Sequence, residues 1–113
     1  MEQSEFLEKN VFNELKNLNE GSDKETNHHF SEADFEVLLE RIEHLGIGMY
    51  IMESFLDGKS IVKESHEDFK KKATDPRWYK KAFSELKSKN SELTYSATYK
   101  VSNKLLAREK TKN

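Results

Sequence analysis

The sequence predicts an α+β domain: a small, mostly antiparallel three-stranded sheet with two or three helices packed on it, in the order α-α-β-β-α-β, followed by a short basic tail. Three observations predict this class. Asp57 and Gly58 separate two apolar runs, which is a strong short-range signal of a β-hairpin. A capped amphipathic helix precedes that hairpin, and an alternating strand lies near the end of the chain.

Size and composition limit the possible classes of protein. The 113 residues correspond to a single domain, 1–113, and seven Phe, four Tyr and one Trp supply material for a packed core. The absence of cysteine excludes disulfides, thiolate metal sites and thiol catalysis. Because no apolar run is long enough to cross a bilayer and the first residues are acidic, we expect a soluble, cytoplasmic protein.

The first segment, residues 4–18, has the composition of an amphipathic helix. Its apolar residues at helical spacing are Leu7, Val11, Leu15 and Leu18, with Phe6 and Phe12 beside them. Residues 19–29 are polar and rich in turn formers, so they are predicted to be a connector. We therefore expect the helix within residues 1–18 to dock loosely on the rest of the domain.

The second helix has clear start and stop signals. Ser31 fits an N-cap, with Asp34 able to reach back as in a capping box and Phe30 and Phe35 able to pack across the cap. Gly46 is predicted to end the helix in the left-handed conformation. The apolar stripe between these signals comprises Phe35, Leu38, Leu39, Ile42 and Leu45.

The first strand of the hairpin, residues 47–56, is apolar on both of its alternating faces. One face carries Ile47, Met49, Ile51 and Phe55, and the other carries Tyr50, Met52 and Leu56. Both faces need a cover, because each would otherwise expose apolar area to water. We therefore expect the face with Tyr50, Met52 and Leu56 to be covered by another chain.

The register of the hairpin depends on the length of its loop. A two-residue loop pairs Phe55 with Ser60, which places an aromatic residue opposite a polar one. A three-residue loop pairs Phe55 with Ile61 and Glu53 with Lys63, which matches apolar with apolar and acid with base. The residues thus favour a three-residue loop or a β-bulge.

The second half of the chain adds a helix and a strand. Residues 63–73 are highly charged and are predicted to be a connector or a short surface helix. Asp75 and Pro76 mark the start of a third helix, because proline's missing N–H costs nothing at the first helical position. Its buried stripe is predicted to be Tyr79, Ala82, Phe83 and Leu86, widened by Trp78. Alternation over 93–101 predicts a strand with one buried face. Residues 103–113 are expected to be a basic tail that forms a short helix and then frays.

Charge is distributed unequally along the chain. Residues 1–58 carry 4 basic and 14 acidic side chains, a net −10, whereas residues 59–113 carry 15 and 7, a net +8. The halves either form separate charged surfaces or interleave on folding. Separate surfaces would allow nucleic-acid binding by a basic set with aromatic residues: Lys71, Lys72, Arg77, Trp78, Lys80 and Lys81. An isoelectric point near 6.1 argues against that alternative.

Few residues indicate chemistry. His28 and His29 lie just before the second helix, and Glu53 interrupts an apolar strand face, where a carboxylate either pairs with Lys63 or has a raised pKa. A small-ligand site or a modest enzyme would combine these groups with tyrosines, namely Tyr50, Tyr95 and Tyr99. No metal-ligand spacing, phosphate-binding glycine loop or nucleophile elbow is present, so we expect no metal and no cofactor.

The residues therefore favour a non-catalytic protein-interaction module that uses an apolar face of its sheet. The partner is expected to be a second copy of the chain, forming a homodimer, or another protein. A ligand-binding protein with a His/Glu/Tyr site and a nucleic-acid-binding protein are the two alternatives.

Overall fold

The computed structural model describes residues 2–18 and 28–111, with side chains up to residue 107. Within these residues the chain forms four α-helices and one antiparallel sheet of four strands. The helices are α1 (Gln3–Asn10), α2 (Glu32–Leu45), α3 (Pro76–Lys89) and α4 (Asn103–Thr111). The strands are β1 (Phe30–Ser31), β2 (Gly48–Leu56), β3 (Lys59–Ser65) and β4 (Thr94–Lys100), and a 3-10 turn spans His66–Phe69.

The sheet order is β1-β4-β2-β3, and all neighbouring strands are antiparallel. Strand β4 lies between β1 and β2, the two strands that α2 connects. Strand β2 lies between β3 and β4, the two strands that α3 connects. The α+β class is confirmed, but the sheet has four strands where the sequence predicts three. The missed strand, β1, contains only Phe30 and Ser31, too few residues to show alternation.

The predicted signals of α2 are present in the structure. The Ser31 hydroxyl accepts a hydrogen bond from the Asp34 backbone N–H at 3.2 Å, and Gly46 has φ +75°. The Ile47 N–H donates to the Ile42 carbonyl at 2.9 Å, which completes the C-terminal cap. The Asp34 carboxylate instead accepts from the Lys16 backbone N–H at 3.1 Å, so it ties the first segment to α2.

The first helix is shorter than residues 4–18, because α1 ends at Asn10 and the chain then turns. Helix α1 buries Phe6 and Leu7, and Val11, the residue after the helix, is also buried. The Gln3 side chain bonds to the backbone at the end of β4, donating to the Tyr99 carbonyl and accepting from the Val101 N–H. Arg41 of α2 donates to the carbonyls of Val11 and Asn13, at 2.8 and 2.6 Å.

The charged segment 63–73 is a strand and a turn as well as a connector. β3 continues to Ser65, and the 3-10 turn that follows ends at Lys70, which has φ +56°. Helix α3 then begins as predicted, with Asp75 accepting from the Arg77 backbone N–H at 2.9 Å. None of the helices in the described part of the chain is both long and apolar enough to cross a membrane.

Helices α2 and α3 pack on the same face of the sheet, which we call the core face. Tyr95 of β4 lies between them: its ring stacks on Phe35 of α2 at 5.1 Å and meets the Phe83 ring of α3 edge-on at 5.0 Å. The other face of the sheet carries the residues that alternate with this core set.

Candidate interaction surface

A β-bulge in β2 decides which of its residues face the core. Met49 pairs with Tyr99 on β4, but the next pair is Ile51 with Thr98, so Tyr50 has no partner opposite it. An extra residue in a strand reverses the alternation beyond it. Met52 and Ser54 therefore face the helices, and both are fully buried.

The prediction that Tyr50, Met52 and Leu56 share a free face is wrong. Met52 is 0% exposed in the chain's own core, and Leu56 packs partly against that core. Tyr50 is 40% exposed, but it lies at the bulge, with its ring 6.3 Å from that of His66. The error follows from assuming strict alternation through residue 50.

A second irregularity lies in the hairpin. Asp57 and Gly58 have φ +53° and +81°, so the loop has two residues and pairs Phe55 with Ser60. A bulge at Ile61 then restores the pairing of Glu53 with Lys63. The predicted bulge and the Glu53–Lys63 register are confirmed, whereas the three-residue loop is not formed.

The bulges leave a defined set of side chains on the side of the sheet opposite α2 and α3, which we call the outer face. Residues directly opposite each other on paired strands share a face. The outer face therefore comprises Ile51, Glu53 and Phe55 of β2, Ser60, Lys63 and Ser65 of β3, and Thr94, Ser96 and Thr98 of β4. His29 joins it, because its ring stacks on that of Phe55 at 4.3 Å.

The apolar residues of the outer face do not belong to the hydrophobic core. Ile51 and Phe55 are partly exposed and lie outside the cluster of core residues, whereas Leu105 and Leu106 of α4 pack against that cluster. The outer face thus presents apolar side chains that the described helices do not bury.

His29 is the titratable group with an altered environment on this face. Burial lowers the pKa of His29, with a smaller lowering from His28, and the nearby Glu53 carboxylate opposes that shift. The imidazole is therefore neutral near pH 7 and packs on Phe55 as an aromatic ring.

We predict that the His29→Gln substitution removes one source of acid sensitivity. Since the pKa of His29 is lower in the folded chain than its ordinary value of 6.5, the unfolded chain takes up this proton first. The stability that His29 contributes is complete above pH 6.5 and is lost as the pH falls through the folded pKa. Urea unfolding of both proteins over that range measures the effect, and parallel stability curves would contradict it.

Glu53 and Lys63 are neighbours but do not form an ion pair. The Glu53 Oε2 atom accepts a hydrogen bond from the Ser60 hydroxyl at 2.6 Å. Lys63 is exposed and makes no ion pair with any described residue. The predicted pairing of Glu53 with Lys63 thus holds for the backbone register and not for the charges.

The other residues of the predicted ligand site lie elsewhere. His28 stacks on Phe12 at 4.5 Å and lies 3.5 Å from the Glu8 carboxylate, so it helps to dock the first segment. Tyr95 and Tyr99 lie on the core face, where burial raises the pKa of Tyr95 to about 12 and that of Tyr99 still further. Only His29 and Glu53 come together, and the tyrosines do not join them.

The predicted nucleic-acid residues also fall into different environments. Trp78 is 0% exposed, so its ring cannot stack on a base. Arg77 is paired with Asp75 at 2.7 Å, and Lys80 with Glu43 at 3.0 Å. Lys71, Lys72 and Lys81 are exposed, as Arg77 and Lys80 are.

Neither similarity to known proteins nor the arrangement of metal-ligating side chains among the described residues indicates another site. No protein-family model, curated protein or solved structure matches this chain. Among the described residues, no group of three or more His, Asp or Glu side chains is arranged to hold a metal ion. The outer face is therefore identified from its geometry alone. The sequence signal for it was Glu53, a charge on the strand face that it shares with Ile51 and Phe55.

Proposed function

We propose that this chain is a non-catalytic protein-interaction module that binds another polypeptide chain on its outer face. The observation that carries the proposal is the position of Ile51 and Phe55, which are partly exposed on the face opposite the helices. Binding a protein there would remove their apolar area from water.

The composition of the outer face supports a protein partner. Phe55 and Ile51 stand among small hydroxyl side chains of β4, and Lys63 and Thr98 are exposed around them. An apolar centre with a polar rim is the usual arrangement of a protein interface, and aromatic residues at the centre carry much of the affinity. We expect Phe55 to be such a residue.

The two alternatives have less support. A His/Glu/Tyr ligand site would need the tyrosines beside His29 and Glu53, but Tyr95 and Tyr99 are buried on the opposite face. Nucleic-acid binding by base stacking would need an exposed aromatic residue among the lysines, and the tryptophan of that segment is a core residue.

Photocrosslinking in cells tests the proposal. Benzoylphenylalanine in place of Thr98, which is exposed on the outer face, should give a discrete adduct of defined mass. The same group in place of Val37, which is 38% exposed on α2, is the control and should not. Adding Phe55→Lys should reduce the Thr98 adduct about tenfold or more, as loss of an interface hot spot does. The proposal would be refuted if the adduct formed in equal yield from both positions, or if Phe55→Lys left the yield of the Thr98 adduct unchanged.

A further inference from the structure

We propose that the partner of the outer face is a second copy of this chain, packed sheet to sheet about a two-fold axis that runs parallel to the strands, midway between β2 and β3. This inference rests on the proposed function, because it concerns the same surface. It is carried by the register of the hairpin and by the charges of Glu53 and Lys63.

The geometry of such an axis determines which residues meet. The axis lies above the outer face, parallel to the strands and over the middle of the β2–β3 pair. Rotation by 180° about it places β2 of one copy over β3 of the other. Each residue of β2 then lies over its own register partner in the other copy. Glu53 is the register partner of Lys63, so Glu53 of each copy lies over Lys63 of the other. The contact is isologous, and the charge pair therefore occurs twice.

The charges of these two residues are complementary between copies. Among the described residues of one chain, the only side chain that donates a hydrogen bond to the Glu53 carboxylate is Ser60, and Lys63 has no acidic partner. A second copy would give both a charged partner and would shield that pair from water. Opposite charges at matched positions fix the register of an interface more than they increase its affinity.

The sizes of the other side chains fit the same axis. Ile51 is the register partner of Ser65, and Phe55 is the register partner of Ser60. Each large apolar side chain would therefore lie over a small one of the other copy. Such alternation lets two sheets pack closely at the usual separation of about 10 Å.

The contact between copies is small. Two strands of about seven residues form a surface about 10 Å wide and about 20 Å long. That is well below the area of about 800 Å² that each partner contributes to a standard protein interface. We therefore expect a weak, reversible dimer that forms at high protein concentration, and not an obligate dimer.

Pairing through the free edge of β3 is the competing arrangement, and the edge carries features that oppose it. The bulge at Ile61 interrupts the straight line of backbone groups, and Lys59 and Lys63 are exposed along the strand. Bulges and lysines on edge strands hinder the addition of another strand. The face is therefore favoured over the edge.

Charge reversal with mixing tests this inference. Sedimentation equilibrium of the purified full chain should show association that weakens about tenfold or more in Glu53→Lys and in Lys63→Glu, since each variant brings like charges together twice. An equimolar mixture of the two variants should recover association. In a mixed dimer, the two lysines of the Glu53→Lys chain lie over the two glutamates of the Lys63→Glu chain, so both contacts again join opposite charges. Thermal melts of both variants check that they fold.

A matched control is an ion pair on the surface of helices α2 and α3, away from the outer face. Glu36 and Lys87 pair within one chain at 3.8 Å, so Glu36→Lys and Lys87→Glu should leave association unchanged. A chain that stays monomeric at all concentrations, or variants whose mixture does not recover, would overturn the inference. If the Thr98 adduct still forms, depends on Phe55 and has the mass of a different protein, the proposed function stands and only the identity of the partner is wrong.

Discussion

The Met52→Lys variant is expected to be largely unfolded at 25 °C. Met52 is fully buried on the core face, so the substitution removes a packed side chain, which costs about 2–5 kcal/mol. It also places an unpaired ammonium in the core, which adds several kcal/mol. Because a domain of this kind has only about 5–15 kcal/mol of stability, the sum removes most or all of it. Circular dichroism and urea unfolding measure the loss.

Phe55→Lys is the matched control, three residues along the same strand and on the outer face. Phe55 is partly exposed and lies outside the core cluster, so a lysine there keeps its charge in water. We expect a loss of about 1 kcal/mol, from the contact with His29. Equal destabilisation by the two variants would show that the bulge at Tyr50 does not separate the faces as described.

The Tyr95→Ala variant should lose about 3–5 kcal/mol, the usual cost of removing a buried aromatic side chain. The Tyr95 ring is 0% exposed and joins the two helices through Phe35 and Phe83. For a domain of this size, such a loss corresponds to a fall in melting temperature of about 15 °C or more. Differential scanning calorimetry measures it.

Tyr95→Phe separates the ring from the hydroxyl. The Tyr95 hydroxyl is buried without a hydrogen-bond partner among the described residues. Removing it therefore breaks no hydrogen bond and removes the free-energy cost of burying an unpaired polar group. We expect the stability of Tyr95→Phe to equal or exceed that of the original chain. A loss close to that of Tyr95→Ala would mean that the hydroxyl, and not the ring, holds this position.

The opposite charges of the two halves of the chain are partly interleaved by the fold. Acidic α2 lies beside basic α3, with ion pairs between Lys80 and Glu43 and between Lys87 and Glu36. These pairs are exposed, so each contributes little to stability. Their consequence is that part of the basic half faces acidic residues of its own chain.

The sequence predicts elements with strong local signals. Ser31 and Gly46 define α2, Pro76 starts α3, and alternation identifies β4, because caps and periodicity depend on neighbouring residues only. Strand β1 was missed because its two residues pair with β4, about 65 residues away, and that contact leaves no local pattern.

The candidate surface was predicted only in part. The sequence indicates both Glu53 and His29, and they do lie on the same face. The sequence pattern places the apolar residues around them, Ile51 and Phe55, on the core side, and this is wrong because the bulge at Tyr50 reverses the alternation of β2. Tyr50 is not the glycine that marks one type of bulge in a sequence, and the extra residue becomes visible only in the pairing of β2 with β4.

The most direct test of the assignment of faces is the solvent exposure of single methyl groups. In a dilute sample, a soluble gadolinium chelate should strongly relax the NMR signal of the Ile51 methyl groups and leave that of the Met52 methyl group nearly unchanged. This contrast follows directly from the bulge at Tyr50, which turns Ile51 to the outer face and Met52 to the core. Equal relaxation of both residues, or stronger relaxation of Met52, would contradict the assignment and remove the basis of the proposed interface.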